Sequence, residues 1–213
     1  MSGTFGATLF SDLGPGGSYS TIFIVVDGSG AFPGDPGVNG ASMFTAAGRG
    51  SEAISQIDLG AYNPYPGTFP TMTFTASIWS DNSGVPGTEL PGASWNFTND
   101  AAAGALVSIT GISDVSLTGG DQYFMVLAPL NLADDSYVGW FINSQGSSNT
   151  VLIGENGGAF WAFDGTDTEI FDVQGIVTPE PGTGGILSIS LAGLLLLARF
   201  RRAAAIKTST AIS

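Results

Sequence analysis

The chain has 213 residues, 43% of them hydrophobic, which suffices for one β domain with a core plus an appendage. With no Cys and no His it lacks disulfides, thiolate nucleophiles, zinc–thiolate sites, the usual neutral-pH base and any Ser-His-Asp triad. Of its 18 carboxylates only Glu180 lies beyond Thr178, and of its five basic residues only Arg49 lies before it, so residues 1–178 set 17 acidic groups against one Arg and repel nucleic-acid backbones.

From the start, Met1-Ser-Gly-Thr-Phe5 has neither a basic n-region nor a long apolar h-region, so an export signal is expected upstream of Met1. Gly28–Gly40, GSGAFPGDPGVNG, reads as a long surface loop. A strand is expected over Ile54–Leu59. Met72–Trp79, MTFTASIW, alternates Met72, Phe74, Ala76 and Ile78 with Thr73, Thr75 and Ser77, the period of a half-buried strand. Ser80–Thr88 is a run of turn formers that predicts a loop or hairpin. Further strands are expected over Leu106–Ile109, Asp121–Leu127, Tyr137–Ile142, Val151–Ile153, Ala159–Phe163 and Ile170–Ile176. Short strands separated by Gly-rich turns predict an all-β fold, a β-sandwich or jelly roll, as a single domain over residues 1–177.

Three groups within this domain carry candidate chemistry. Asp134-Asp135 and the set Asp164, Asp167 and Glu169 are the densest carboxylates, the residue type a glycosidase needs in pairs. Asp164-Gly-Thr-Asp-Thr-Glu169 also offers hard oxygen ligands for Ca²⁺, although it lacks the full ligand ladder of an EF-hand loop and fits an ordinary acidic turn better. Trp79, Trp95, Trp140 and Trp161, with Tyr62, Tyr65 and Tyr123, have the faces to stack on sugar rings or, alternatively, to pack between two sheets. A P-loop and a Schiff-base Lys before residue 199 are absent from the sequence.

The C-terminal stretch has a different character. Pro179-Glu180-Pro181-Gly182 cannot continue a strand or helix and is expected to be extended and accessible to cleavage. Gly182–Ala198 is uncharged for 17 residues, and as a helix it would span roughly 26 Å. Only Ser188 and Ser190 interrupt the apolar run Ile186–Leu197, and both can hydrogen-bond to their own helix backbone. Arg199, Arg201 and Arg202 follow as a membrane-stop cluster on the cytoplasmic side, with Lys207 beyond them. The chain therefore divides into an ectodomain over 1–177, a tail over 178–202 containing one transmembrane helix over 182–198, and a short cytoplasmic segment over 203–213.

This order of tripeptide, apolar helix and arginine-rich end resembles the PEP-CTERM sorting signal of bacteria that carry exosortases. The resemblance implies recognition by an exosortase in the membrane through Pro179, Glu180 and Pro181, cleavage near the tripeptide, and delivery of the outer domain to the cell envelope or extracellular matrix. Within the domain, Phe10–Tyr19 (FSDLGPGGSY), Ile78–Thr88 (IWSDNSGVPGT), Leu117–Leu127 (LTGGDQYFMVL) and Gly139-Trp140 resemble the choice-of-anchor group of exosortase-sorted proteins. The expected function is that of a non-catalytic surface or matrix protein without a required cofactor, in contact with the membrane and exosortase during transit and with no nucleic-acid partner. Two alternatives accompany it: a Ca²⁺-dependent carbohydrate-binding module acting on exopolysaccharide, and a carboxylate-dependent glycosidase.

Overall fold

The computed structural model describes residues 5–13, 20, 22–31, 34–63, 65–68, 72–99, 105–131, 136–143, 148–155, 158, 160–167 and 169–177, and among them there are thirteen strands and no helix. In chain order these are β1 (Phe5–Ser11), β2 (Phe23–Asp27), β3 (Val38–Thr45), β4 (Ser51–Tyr62), β5 (Met72–Asp81), β6 (Pro86–Asn99), β7 (Ala105–Thr110), β8 (Ser116–Thr118), β9 (Gln122–Pro129), β10 (Tyr137–Phe141), β11 (Ser148–Glu155), β12 (Phe160–Asp167) and β13 (Phe171–Val177). All lie in the compact unit Phe5–Val177. The expected transmembrane helix, the sorting tripeptide Pro179-Glu180-Pro181 and the basic cluster Arg199, Arg201 and Arg202 lie outside the described residues.

The period-2 pattern of β5 becomes two faces. Phe74, Ala76 and Ile78 are fully buried in the main core, while Thr75, Ser77 and Trp79 occupy the opposite face. The hairpin that follows turns on Ser83 (φ 59°) and Gly84 (φ 89°), two positive φ values of the kind that match the right-handed twist of paired strands. Asp81 Oδ1 accepts the Gly84 N–H at 2.8 Å, and the Asn82 N–H donates to the Val85 carbonyl at 2.9 Å. The expected loop is therefore shorter than Ser80–Thr88, and β6 resumes pairing at Pro86 opposite Asp81. Gly28–Gly40 is likewise trimmed, because β3 begins at Val38.

The thirteen strands form one open antiparallel sheet with the path β1-β13-β4-β10-β2-β3-β9-β5-β6; β7 and β8 pair with β4, and β11 with β12 pairs onto β3. Two wide parts of it meet in a single residue pair, Asp27↔Val38, between β2 and β3. Five steps along this path separate β1 from β3, roughly 24 Å in a flat sheet. Yet the rings of Phe10 on β1 and Phe44 on β3 are 5.2 Å apart, and Phe44 meets Phe171 of β13 at 5.4 Å. The sheet is therefore strongly curved, bringing apolar residues of β1, β13 and β3 together on one face. Ile57, Leu59, Phe74, Ile78, Met125, Trp140, Phe171 and Val173 fill the interior, each fully buried.

Candidate functional site

The seven aromatics expected as a platform or as core filling divide between the two roles. Trp140 is fully buried, and its indole N–H donates to the Ile170 carbonyl at 3.0 Å, which satisfies its one polar atom. Tyr123 is buried and its hydroxyl accepts the Thr118 N–H at 3.0 Å. Trp95 packs against the main core, Tyr62 against Phe23 and Phe141, and the exposed Tyr65 against Tyr137. Trp79 and Trp161 are different. Both flank a second apolar cluster, Ala41, Phe124, Val126 and Leu152, on the outward face of the sheet part that contains β12, β11, β3, β9, β5 and β6.

Register explains this face. Met43 pairs with Phe124, Phe124 with Trp79 and Trp79 with Glu89; one row over, Leu152 pairs with Ala41, Ala41 with Val126 and Val126 with Ser77. Trp161 stands opposite Gly154, which itself stands opposite Asn39. A side chain at Gly154 would meet the Trp161 ring at 2.8 Å, so the absence of a Cβ there seats the indole against the sheet. The Trp79 indole N–H donates to Ser77 Oγ at 2.8 Å, which fixes that ring along its own strand. Between the rows lies an open hollow of about 260 Å³ lined by Trp79, Ser77, Thr75, Glu89, Asn39 and the small apolar groups of β9.

On the other part of the sheet, the outward face carries a polar ladder. Ser11, Asp172, Asp58 and Ser108 stand in one transverse row over β1, β13, β4 and β7, and Thr8, Gln174, Gln56 and Thr110 form a row beside it. Asp58 and Asp172 are each 7% exposed. The Gln56 carboxamide donates to both oxygens of Asp58 at 2.9 and 2.8 Å, Gln174 donates to Asp58 Oδ2 at 3.2 Å and to Asp172 Oδ2 at 2.9 Å, and Ser108 donates to Asp58 Oδ1. Burial pushes the Asp172 carboxyl above the usual carboxylate range, the Gln174 hydrogen bond pulls it back, and the charge of Asp58 adds to the upward push.

A third polar place is the junction of β2 and β3. Asp27 is 1% exposed, and its Oδ1 accepts the Val38 N–H at 3.0 Å. Burial, with the charge of Asp35 second, pushes its carboxyl up to about 6. Tyr137, directly opposite on β10, is pushed up to about 12 by burial and by the neighbouring Tyr65 and Asp27.

The carboxylates singled out from sequence do not assemble into a site. Asp134-Asp135 lies outside the described residues, as do the side chains of Asp164 and Asp167. Their backbone does not form the expected turn: β12 runs through both to Asp167, which pairs with Ser148. Glu169 is fully buried and bridges to Ile142. Among the described residues no group of three or more acidic side chains is arranged to hold a metal ion. Asp58, Asp172, Asp27, Asn39 and Glu89 were not distinguishable in the sequence, because their burial and neighbours depend on strand register, and for Asp58 and Asp172 on the pairing of strands far apart in the chain.

No family model, curated protein or solved structure matches this chain.

Proposed function

We propose that this chain is a non-catalytic exported protein whose unit Phe5–Val177 is a two-layered β-sandwich, sorted to the cell envelope or extracellular matrix by a PEP-CTERM-type signal over residues 178–202 that an exosortase processes. One observation carries the reading: Pro179-Glu180-Pro181, 17 uncharged residues and Arg199, Arg201 and Arg202 follow one another directly after a region with a single basic residue. The sandwich reading draws support from the single-pair junction at Asp27↔Val38 and from Phe10 meeting Phe44 across the fold. An acidic surface without Lys is also suited to life outside the cell among neutral polymers, since it resists adsorption to anionic lipid and nucleic acid.

Localisation tests the proposal. In a host with its own exosortase, an epitope placed in the Phe5–Val177 unit should appear in the envelope or medium for the unaltered protein. It should stay in the membrane fraction when Glu180→Ala is introduced or when Arg199, Arg201 and Arg202 are all changed to Gln. Identical distributions for all three proteins would contradict it.

A further inference from the structure

We propose that the hollow beside Trp79 is a saccharide-binding site that takes one uncharged sugar ring of a neutral glycan. The inference stands on the outward face of the sheet alone and holds whether or not the tail is processed.

Four features of the hollow converge on this ligand class. Trp79 provides a partly exposed aromatic ring held in place by Ser77, and Val126 with Ala128 forms a low apolar floor beside it. Carbon-bound hydrogens on one face of a pyranose match such a surface, and a rigid indole loses little entropy in the contact. Polar groups ring the floor: Glu89 is exposed at the rim, and the Thr75 hydroxyl is fixed by its hydrogen bond to Asn96 Oδ1 at 3.0 Å. Rings with an apolar face and a hydroxylated edge need this mixture of surfaces.

The decisive group is Asn39. It is 6% exposed, it lines the hollow, and its Oδ1 has no hydrogen-bond partner among the described residues. A buried carbonyl oxygen left without a donor costs free energy, which a turn of the Asn39 carboxamide toward a ligand hydroxyl would recover. Asn39 stands opposite Gly154, whose small size lets the Trp161 ring lie close against the sheet there.

Size and charge narrow the class. A volume of about 260 Å³ falls below the roughly 300–1,000 Å³ of sites for drug-sized ligands, which suits one ring of a chain running past the hollow. Glu89 is the one charged side chain in the lining, and the surrounding domain is strongly acidic. Uronates, sulfated sugars and phosphates are therefore repelled, and an uncharged ring is favoured.

Affinity electrophoresis and titration calorimetry of the full chain supply the test, with soluble β-1,3-glucan, xylan and galactomannan as neutral probes, alginate as the anionic probe and a proline-rich peptide as the competing aromatic-stacking ligand. At least one neutral polymer is expected to bind, with no retardation by alginate and no heat from the peptide. Trp79→Ala should weaken binding by about tenfold or more. Glu89→Gln, on an exposed side chain where folding is not at stake, should weaken it by about threefold or more while the melting temperature stays unchanged. Failure of all three neutral polymers, preference for alginate or for the peptide, or neutral-polymer binding that both variants leave intact would overturn the proposal.

Discussion

Asp58 and Asp172 face each other directly across β4 and β13, and the Gln174 carboxamide nitrogen donates to both, at 3.2 and 2.9 Å. Two carboxylates opposite one another on a sheet repel, and here that repulsion is set in a crowded outer layer where each is 7% exposed. Since burial raises the Asp172 carboxyl above its unfolded value, there is a pH range in which the folded protein keeps a proton there that the unfolded chain has released. Stability from this group is full at low pH and falls as pH rises past the unfolded carboxylate value. Asp172→Asn keeps an acceptor for Gln174 and removes the repulsion, so it should raise stability at pH 7 by about 1 kcal/mol, read from urea midpoints. Loss of stability at pH 7 would show that the charge at 172 is needed.

Asp27 adds a second contribution of the same sign. Its carboxyl moves from 3.8 to about 6 on folding, so stability is full below pH 4 and declines between pH 4 and 6. The cost at pH 7 is on the order of 3 kcal/mol. Asp27→Asn retains an oxygen for the Val38 N–H, and the variant should flatten the pH dependence of unfolding in that window and melt higher than the parent at pH 7. An unchanged slope between pH 4 and 6 would contradict the assignment.

Gly154 sets the position of Trp161, and the contact is tight enough to read by substitution. A methyl group there would lie 2.8 Å from the indole and must push a rigid ring off the sheet. Gly154→Ala should cost about 1–3 kcal/mol and shift tryptophan fluorescence to longer wavelength as Trp161 gains water. An unshifted spectrum with full stability would mean that the ring does not rest there.

Much of the strand pattern was legible in the sequence. β5 announced itself by alternation, and β4, β7, β9, β10, β11 and β13 were expected within a few residues of where they lie. The start of β6 was hidden because Pro86 falls in the run of turn formers Ser80–Thr88, yet β6 ends the sheet path and among the described residues pairs with β5 alone, and an edge strand tolerates proline. β3 lacked alternation because it is buried on both faces: Gly40 sits against Ile24 and Trp140, while Ala41 belongs to the outward cluster. β12 was expected over Ala159–Phe163, and only its acidic end, Asp164-Gly-Thr-Asp167, was hidden, because its composition suits a turn while its backbone continues the ladder with β11.

The site residues were less legible for a topological reason. Asp58 and Asp172 become neighbours only through the β4–β13 pairing, and Asn39 approaches Trp79 only across β9. Trp79 and Trp161 were visible as aromatics, but their separation from the buried Trp140 depended on which face of each strand turned inward.

The sorting proposal is tested most directly by the intact mass of the protein recovered from envelope and medium, in a host with and without its exosortase. The mature chain should end within Pro179–Gly182 when the exosortase is present, losing Arg199, Arg201, Arg202 and Lys207, and should keep them when it is absent. A full-length C-terminus in every fraction of the exosortase-bearing host would contradict it.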